Sequence, residues 1–475
     1  MTTHTIRTRL VAPALMVLGM LSAPTFAAAP APAPAPARES PPAPAAPKPF
    51  KVPVRTEFKL DNGLEVSLLP YGDMPKVAIQ LAIDTGNIHE SATETWLADL
   101  TGKLLSEGTT TRSAEQIAQA AAQLGGSLNI GTTMDQTSVG LEVLSESAPE
   151  ALALIADVIQ NPAFPKAEVE RVKGDLAREM AIYKSQPGVL ADERLGQSLY
   201  GDHPYGRYFP PEAQLKGYTQ EVVRAHYDAN IGAARSRLYI VGRFDPEPVE
   251  KAVRDAFSGW KAGPERLKNL PKQRVAKAVQ FIDRPGAVQS TVRVAVKALP
   301  PSSPDFVKQT VMNTLLGGYF SSRITANIRE AKGYTYSPYS EVSAHLEDAY
   351  WVQNADVTTA VTGESLKEIF KEVATLRKTP PPAEELSAVQ SYLAGTFLLQ
   401  NSSRNGIISQ LRFVDLHGLP DSYLQNYVQS VMAVTPADIQ KLAAKMLTRE
   451  AMTIVVVGDQ KAVAPQLKVI NPALK

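Results

Sequence analysis

The sequence predicts an α+β fold with two homologous halves, each a mainly antiparallel sheet covered by helices on one side. Two observations carry this prediction. Strand-type and helix-type hydrophobic patterns alternate in groups along the chain, and the same order of patterns occurs twice.

The recurrence has a nearly constant spacing. Thr219 and Thr435 each precede a glycine by 23 residues, Gly242 in RLYIVG and Gly458 in TIVVVG, so the two segments are 216 positions apart. Two further pairs of apolar helix positions agree with this offset within three residues: Leu152 with Leu366, and Val169 with Leu386. A constant offset is typical of internal duplication. It predicts an N-terminal domain at 50–262, a polar linker at 263–274 and a C-terminal domain at 275–475.

The composition bounds the class of protein. The chain has 475 residues, of which 44% are hydrophobic, and a net charge of +1. That length supports two domains with cores of their own. The near-neutral balance gives no argument for binding to nucleic acid or to an anionic membrane, and we expect no nucleic-acid partner. Cysteine is absent, which excludes disulfides and thiol chemistry.

The first 49 residues predict export followed by a spacer. Residues 1–27 have the features of a signal peptide: Arg7 and Arg9, an apolar run at 10–21, and Ala27 at the cleavage point. The apolar run is too short for a stable membrane anchor. Residues 28–49 contain nine prolines and predict an extended Ala/Pro-rich linker. We expect a periplasmic protein, with secretion as the alternative.

Local signals in the first half predict individual elements. Asp61-Asn62-Gly63 predicts the turn of a hairpin over 55–69. Ser113 and Gln116 form a capping box that opens a helix closed by Gly125-Gly126. The remaining predicted elements are strands at 77–84, 127–132, 137–143 and 237–241, and helices at 149–160 and 167–183.

The segment 95–109, TWLADLTGKLLSEGT, predicts a core helix ending near Glu107-Gly108-Thr109. Trp96, Leu97, Leu100 and Leu104 share one face at helical spacing. In its surroundings this segment resembles the first site helix of the pitrilysin/insulinase family of zinc metallopeptidases, which includes the mitochondrial processing peptidase. Further family-like segments span most of 54–472: 200–206 (YGDHPYG), 286–289, 315–318, 321–323 and 457–459.

The family pattern is H-x-x-E-H followed by G-T, and the resemblance aligns its two histidines with Asp99 and Lys103 and its glutamate with Gly102. Two histidines at i and i+4 bind one zinc, and the glutamate between them acts as general base on the zinc-bound water. Asp99, Gly102 and Lys103 supply neither imidazole nor base. The six histidines include no local pair, and His203 is interpreted as structural. We therefore expect no metal and no cofactor in this chain.

The resemblance aligns the third zinc ligand with Glu179. Asp99 and Lys103 have the spacing of a helical ion pair. We hypothesise that Lys103 also faces Glu179, so that its ammonium group lies where the family holds zinc.

The second half keeps more of the family's site. Arg329 and Tyr336 are predicted near the end of a helix closed by Gly333 and on the following strand, where Tyr334 shares the face of Tyr336. In active members of the family, an arginine and a tyrosine at this spacing hold the substrate peptide near the scissile carbonyl.

The leading hypothesis is a zinc-free subunit of a periplasmic two-subunit metallopeptidase. The chain would bind the substrate peptide and complete the active site of a homologous, zinc-bearing partner with Arg329 and Tyr336, while showing no activity alone. Two alternatives remain open: a peptide-binding or assembly protein without catalysis, and an active metallopeptidase with a non-standard site.

Overall fold

The computed structural model describes residues 53–267 and 279–470. The predicted signal peptide (1–27), the Ala/Pro-rich linker (28–49) and most of the predicted interdomain linker (263–274) lie outside these ranges.

The described first half contains a six-stranded sheet and eight helices. Its strands are β1 (Thr56–Lys59), β2 (Glu65–Pro70), β3 (Lys76–Ile83), β4 (Asn129–Thr132), β5 (Thr137–Leu144) and β6 (Ser236–Gly242). Its helices are α1 (Leu97–Leu104), α2 (Ala114–Gln123), α3 (Ala148–Gln160), α4 (Lys166–Ser185), α5 (Pro187–Tyr200), α6 (Glu212–Gly217), α7 (Gln220–Asn230) and α8 (Pro246–Phe257).

The described second half contains a five-stranded sheet. Its strands are β7 (Val279–Asp283), β8 (Gln289–Lys297), β9 (Tyr339–His345), β10 (Asp348–Thr358) and β11 (Thr453–Gly458). Its helices are α9 (Phe306–Asn313), α10 (Arg323–Thr325), α11 (Thr362–Lys378), α12 (Ala383–Gln400), α13 (Arg404–Leu416), α14 (Ser422–Met432), α15 (Pro436–Met446) and α16 (Gln460–Ile470). π-Helical turns follow α9 and α10, at Thr314–Gly318 and Ala326–Ala331.

The two sheets have the same strand order. The first is β1-β2-β6-β3-β5-β4 and the second is β7-β11-β8-β10-β9, so each strand of the second sheet has a counterpart in the first. Each sheet contains one parallel pair, β2 with β6 or β7 with β11, and its other pairs are antiparallel. The predicted α+β fold with two homologous, mainly antiparallel halves is confirmed.

The predicted turn and cap signals form as their chemistry requires. Gly63 closes the first hairpin with φ +95°, a conformation that glycine adopts without the clash of a Cβ atom. Ser113 accepts the backbone N–H of Gln116, and the Gln116 side chain accepts the N–H of Ser113, which starts α2.

Helices cover both faces of each sheet, so the prediction of helices on one side is wrong. On one face of β3 and β6 the side chains pack in the first-half core, whereas on the other face Ala78, Ala82, Tyr239 and Val241 pack against α13 and α14 of the second half. Reciprocally, α5 of the first half packs on the second sheet. Alternating strand residues point to opposite faces, so both faces of these strands are apolar. The sequence pattern of one half does not show that the other half covers its sheet.

A buried carboxylate ties the second half to the first. Asp415 on α13 accepts hydrogen bonds from Arg55 at 2.9 and 3.1 Å and from the Tyr239 hydroxyl at 2.8 Å, and it pairs with Arg237 at 2.9 Å. Because these partners come from the first half, the contact fixes α13 against the first sheet.

Within the part of the chain that the structure describes, no helix combines the length and the apolar character needed to cross a bilayer.

Candidate functional site

The four positions aligned with the zinc motif line one cavity. Asp99, Gly102 and Lys103 on α1 face Glu179 on α4 across a space of about 520 Å³. Strand β4 and the aromatic side chains of Trp96, Tyr183 and Tyr208 form its other walls. The cavity therefore joins residues that are distant in the sequence, since α1 packs against both α4 and β4.

Lys103 and Glu179 form an ion pair, as hypothesised from the sequence. Lys103 Nζ lies 3.3 Å from Glu179 Oε2, and the Tyr183 hydroxyl donates to the other carboxylate oxygen at 2.8 Å. This hydrogen bond raises the pKa of Tyr183. The Lys103 and Glu179 side chains are 48% and 35% exposed, so water screens their attraction.

Asp99 is held by a different partner from the one predicted. Among the described residues, Lys103 forms its ion pair with Glu179, whereas Asp99 Oδ2 accepts a hydrogen bond from Asn87 Nδ2 at 2.6 Å. Burial raises the pKa of Asp99. The predicted helical pair between Asp99 and Lys103 is replaced because Asn87 lies against α1 and offers a closer donor.

Glu90 anchors the start of α1, a role that the sequence analysis missed. Its carboxyl oxygens accept the backbone N–H groups of Trp96 and Ala98 at 3.1 and 2.8 Å, and Asn87 Nδ2 donates to it at 3.1 Å. These backbone groups lie at the helix start, where they have no partner inside the helix. Glu90 is buried, and burial raises its pKa to about 8.

Trp96 and the end of α1 differ from the prediction. Trp96 lies before the helix with φ 68°, in the left-handed region. It packs against the first-half core, as predicted, and it also lines the cavity. Its indole N–H donates to the Tyr208 carbonyl at 3.0 Å. The helix ends at Leu104, before Glu107.

Gly102 lets α1 approach β4 closely. A Cβ atom at this position would lie 2.3 Å from Thr132 Oγ1, well inside van der Waals contact. A larger residue at position 102 therefore requires Thr132 to move. This contact was not predictable from the sequence, since it depends on how α1 lies on the strand.

The residues of the cavity do not fit zinc. Zinc sites in proteins combine several imidazole, thiolate or carboxylate ligands. Here Glu179 pairs with an ammonium group, Asp99 is bound by Asn87, and Gly102 has no side chain. Across 53–267 and 279–470, no group of three or more His, Asp and Glu residues is arranged to hold a metal ion.

His203 has a structural role. Its Nδ1 accepts the N–H of Tyr205 at 3.2 Å and acts as a local cap.

The cavity lies along a free sheet edge. Among the described residues, strand β4 is the last strand of the first sheet and pairs on one side only, with β5. Ile130, Gly131 and Thr132 of this strand line the cavity. An edge strand offers unpaired backbone N–H and C=O groups, which can pair with an extended peptide.

Arg329 and Tyr336 lie together on the second half, outside the lining of the cavity. Arg329 belongs to the π-helical turn Ala326–Ala331, and its guanidinium carbon lies 5.0 Å from the centre of the Tyr336 ring. Gly333 closes this turn with φ 65°, as predicted.

Two details of this pair differ from the prediction. Tyr336 lies in a bend before β9 and not on a strand. Tyr334 packs against the second core, whereas Tyr336 is 80% exposed, so the two tyrosines do not share a face. Thr335 forms an isolated bridge to Val357 of β10, and Tyr336 follows it in the bend.

Two family models match the chain. Residues 70–209 match the model of insulinase (peptidase family M16), and residues 217–393 match the model of the peptidase M16 inactive domain. The two matches fall on consecutive segments and together include more than half of the chain.

Relatives and solved structures agree with these matches. An uncharacterized zinc protease of Rickettsia felis is 28% identical over 321 residues, covering 67% of this chain and 76% of the relative. One of Bacillus subtilis is 25% identical over 398 residues, covering 83% and 96%. A peptidase M16 inactive domain from Pseudomonas fluorescens superposes with a TM-score of 0.78 at 24% identity, covering 85% of this chain and 98% of that one. A protease from Helicobacter pylori has a TM-score of 0.81 at 16% identity, covering 86% and 100%. At these identities, the two solved structures show that this chain has the same fold as theirs.

Proposed function

Because the chain belongs to the insulinase family of peptidases, peptidase family M16, we propose that it is a zinc-free subunit of a two-subunit metallopeptidase. It binds the substrate peptide and completes the active site of a homologous partner that carries the zinc. The chain by itself does not hydrolyse peptides.

The ion pair between Lys103 and Glu179 carries this proposal. The ammonium group gives Glu179 a cationic partner at 3.3 Å, at the position aligned with a zinc ligand. An ammonium group has no open coordination position to activate water, and Gly102 has no group that accepts its proton. In this proposal the zinc and the general base come from a second polypeptide.

Peptide binding is supported by the exposed edge of β4. The edge borders a cavity of about 520 Å³ that carries both apolar walls and charged groups. Backbone pairing gives affinity for extended peptides of many sequences, and the cavity walls select among their side chains.

The second half supports a contribution to the partner's site. Arg329 and Tyr336 both donate hydrogen bonds, and donors of this kind stabilise a developing oxyanion. Tyr336 is 80% exposed, so its hydroxyl is accessible to a second chain and its bound peptide.

The proposed partner is a homologous subunit with an intact H-x-x-E-H motif, and the proposed compartment is the periplasm. Matched relatives are named zinc proteases, which supports zinc chemistry among proteins of this kind. The signal-type segment at 1–27 supports export.

The experiment is co-purification of a C-terminally tagged chain from the periplasmic fraction, followed by mass spectrometry. Hydrolysis of fluorescein-labelled casein is then measured for the partner alone, this chain alone and the mixture. We expect activity in the mixture only. A partner that is fully active alone contradicts site completion. A mixture that binds casein without any gain in hydrolysis favours the alternative of a non-catalytic peptide-binding or assembly protein.

A further inference from the structure

An exposed cluster of one arginine and two aromatic rings stands on the second half. The guanidinium carbon of Arg329 lies 4.2 Å from the centre of the Phe320 ring and 5.0 Å from the centre of the Tyr336 ring. We call these three residues the aromatic–arginine cluster. Phe320 was not identified from the sequence, where it lies in the turn between two family-like segments.

Water solvates a charged group better than an aromatic ring, but in this cluster the aromatic residues are more exposed than the arginine. Phe320 and Tyr336 are 63% and 80% exposed as whole residues, whereas the charged side chain of Arg329 is 24% exposed. The rings therefore cover the arginine instead of packing into the core. A cation over aromatic faces is attracted by their quadrupoles.

The guanidinium group of Arg329 has N–H donors available for a ligand. Its Nε lies 3.3 Å from the carboxylate of the adjacent Glu330. Within the described ranges, no protein group accepts a hydrogen bond from its two terminal nitrogens. A guanidinium donates in its own plane, in a fork that fits a carbonyl or carboxylate oxygen.

The backbone under Arg329 and Tyr336 is fixed. Ile328, next to Arg329, is fully buried, and the Gly333 N–H donates to the Arg329 carbonyl at 3.0 Å. Beside Tyr336, the Thr335 hydroxyl donates to the Asp356 carbonyl at 2.7 Å.

The backbone near Phe320 is fixed as well. Ser322 is buried, and Arg323 makes a bidentate pair with Glu385 at 2.7 and 2.6 Å. The side chains of the cluster thus stand on a rigid base, as a preorganised site requires.

We propose that Phe320 is a positioning residue: its ring holds the Arg329 guanidinium so that the free edge meets an oxygen of the bound peptide. This inference rests on the proposed function, because the peptide is its ligand. It adds a residue that touches the arginine and not the reacting atoms.

The test is a double-mutant cycle on the complex of this chain with its co-purified zinc-bearing partner, with fluorescein-labelled casein as the probe. The variants are Phe320→Leu, Phe320→Tyr, Arg329→Ala and the double change Phe320→Leu with Arg329→Ala. The matched control is Phe58→Leu, which removes a ring 4.8 Å from Arg254 in the first half. Complex formation is verified by size for every variant.

Loss of one exposed cation–π contact is expected to lower hydrolysis about two- to fivefold in Phe320→Leu. Phe320→Leu changes the same kinetic parameter, kcat or KM, that Arg329→Ala changes. Phe320→Tyr retains activity, and Phe58→Leu matches the wild type. The double variant is no worse than Arg329→Ala alone, since Phe320 acts only through the arginine.

Two results overturn the inference and are distinguishable. If Arg329→Ala is defective while Phe320→Leu matches the wild type, or if the two losses are additive, Phe320 does not position the arginine and the proposed function stands. If neither single change affects hydrolysis, the proposed function fails and the inference fails with it.

Discussion

The Lys103–Glu179 region of the first half and the aromatic–arginine cluster of the second half differ in how their charged groups are satisfied. In the first, both carboxylate oxygens of Glu179 have protein partners, Lys103 and Tyr183. In the second, within the described residues, the terminal nitrogens of Arg329 have none, and Tyr336 is 80% exposed. The first region is internally neutralised, whereas the second still offers donors.

This difference supports the proposal that the second region, and not the first, contacts a ligand. A closed ion pair needs no further group to offset its charge. An arginine held at fixed orientation with free N–H groups has a hydrogen-bonding capacity that a peptide can use.

The largest expected effect is on the second region. Arg329→Ala or Tyr336→Phe should lower casein turnover by the mixed complex about 100- to 1000-fold, because each change removes a donor aimed at a developing oxyanion. A donor that acts only on the bound substrate changes KM instead. The measurement is a steady-state assay of each mixture.

Tyr392→Phe serves as the control, since it removes the hydroxyl of another exposed tyrosine of the second half. Unchanged kinetics in both the Arg329 and Tyr336 variants would assign these residues to the scaffold.

The next prediction concerns restoration of the zinc motif. The wild-type chain should bind no stoichiometric zinc. The triple variant Asp99→His, Gly102→Glu and Lys103→His should bind zinc weakly, because the new side chain at 102 collides with Thr132 Oγ1. Adding Thr132→Ala removes that oxygen and should tighten binding about tenfold, within the range typical of groups around a metal site.

Zinc affinity is measured by competition with a chelator, after metal analysis of each dialysed protein. Thr132→Ala in the wild-type background is the control and should bind no zinc. Tight binding and rapid hydrolysis by the triple variant alone would show that the first region is readily restored.

A third prediction follows from the buried carboxyl group of Glu90, which anchors the start of α1. The pKa of Glu90 is raised to about 8, whereas an unfolded glutamate titrates near about 4.3. Between these values the folded protein binds more protons than the unfolded chain, so the free energy of unfolding falls as pH rises. The contribution is at most about 1.4 kcal/mol per pH unit.

Glu90→Gln keeps a neutral acceptor in place and should remove this slope. Urea unfolding of both proteins from pH 5 to pH 8 gives the difference in stability. We expect the wild type to lose stability relative to the variant as pH rises. A constant difference over this range would contradict a protonated Glu90.

The smallest expected effect is on the ion pair itself. Lys103→Ala should lower the free energy of unfolding by no more than about 1 kcal/mol, because both side chains are partly exposed and water screens their attraction. Lys308→Ala is the comparison variant, since the Lys308 side chain is 38% exposed and pairs with Asp305 and Asp438. A loss of several kcal/mol in Lys103→Ala alone would show that the ammonium group is a structural replacement for a metal.

Part of the fold and of the site was predictable from the sequence because the signals are local. The Asp61-Asn62-Gly63 turn and the Ser113 capping box act over a few residues, and both formed as predicted. The duplication was visible because hydrophobic periodicity repeats at a constant offset. The loss of the motif histidines is a property of residue identity alone.

Other features of the site required packing. Trp96 was assigned to a helix face by its spacing, but the Glu90 carboxyl fixes the helix start behind it. Tyr336 was assigned to a strand by its neighbours, but the single bridge at Thr335 leaves it in a bend. In both cases a contact from another part of the chain overrode local propensity.

The two-half fold and the chemistry that the first half lacks follow from residue order alone, because periodicity and side-chain type need no neighbours. The packing of whole elements sets the contact of Lys103 with Glu179, the approach of α1 to Thr132 at Gly102, and the covering of each sheet by α5 or α13 of the other half. It also brought Phe320 to Arg329. These contacts depend on the relative placement of whole elements, which is set by the burial of apolar faces and leaves no signature in any single segment.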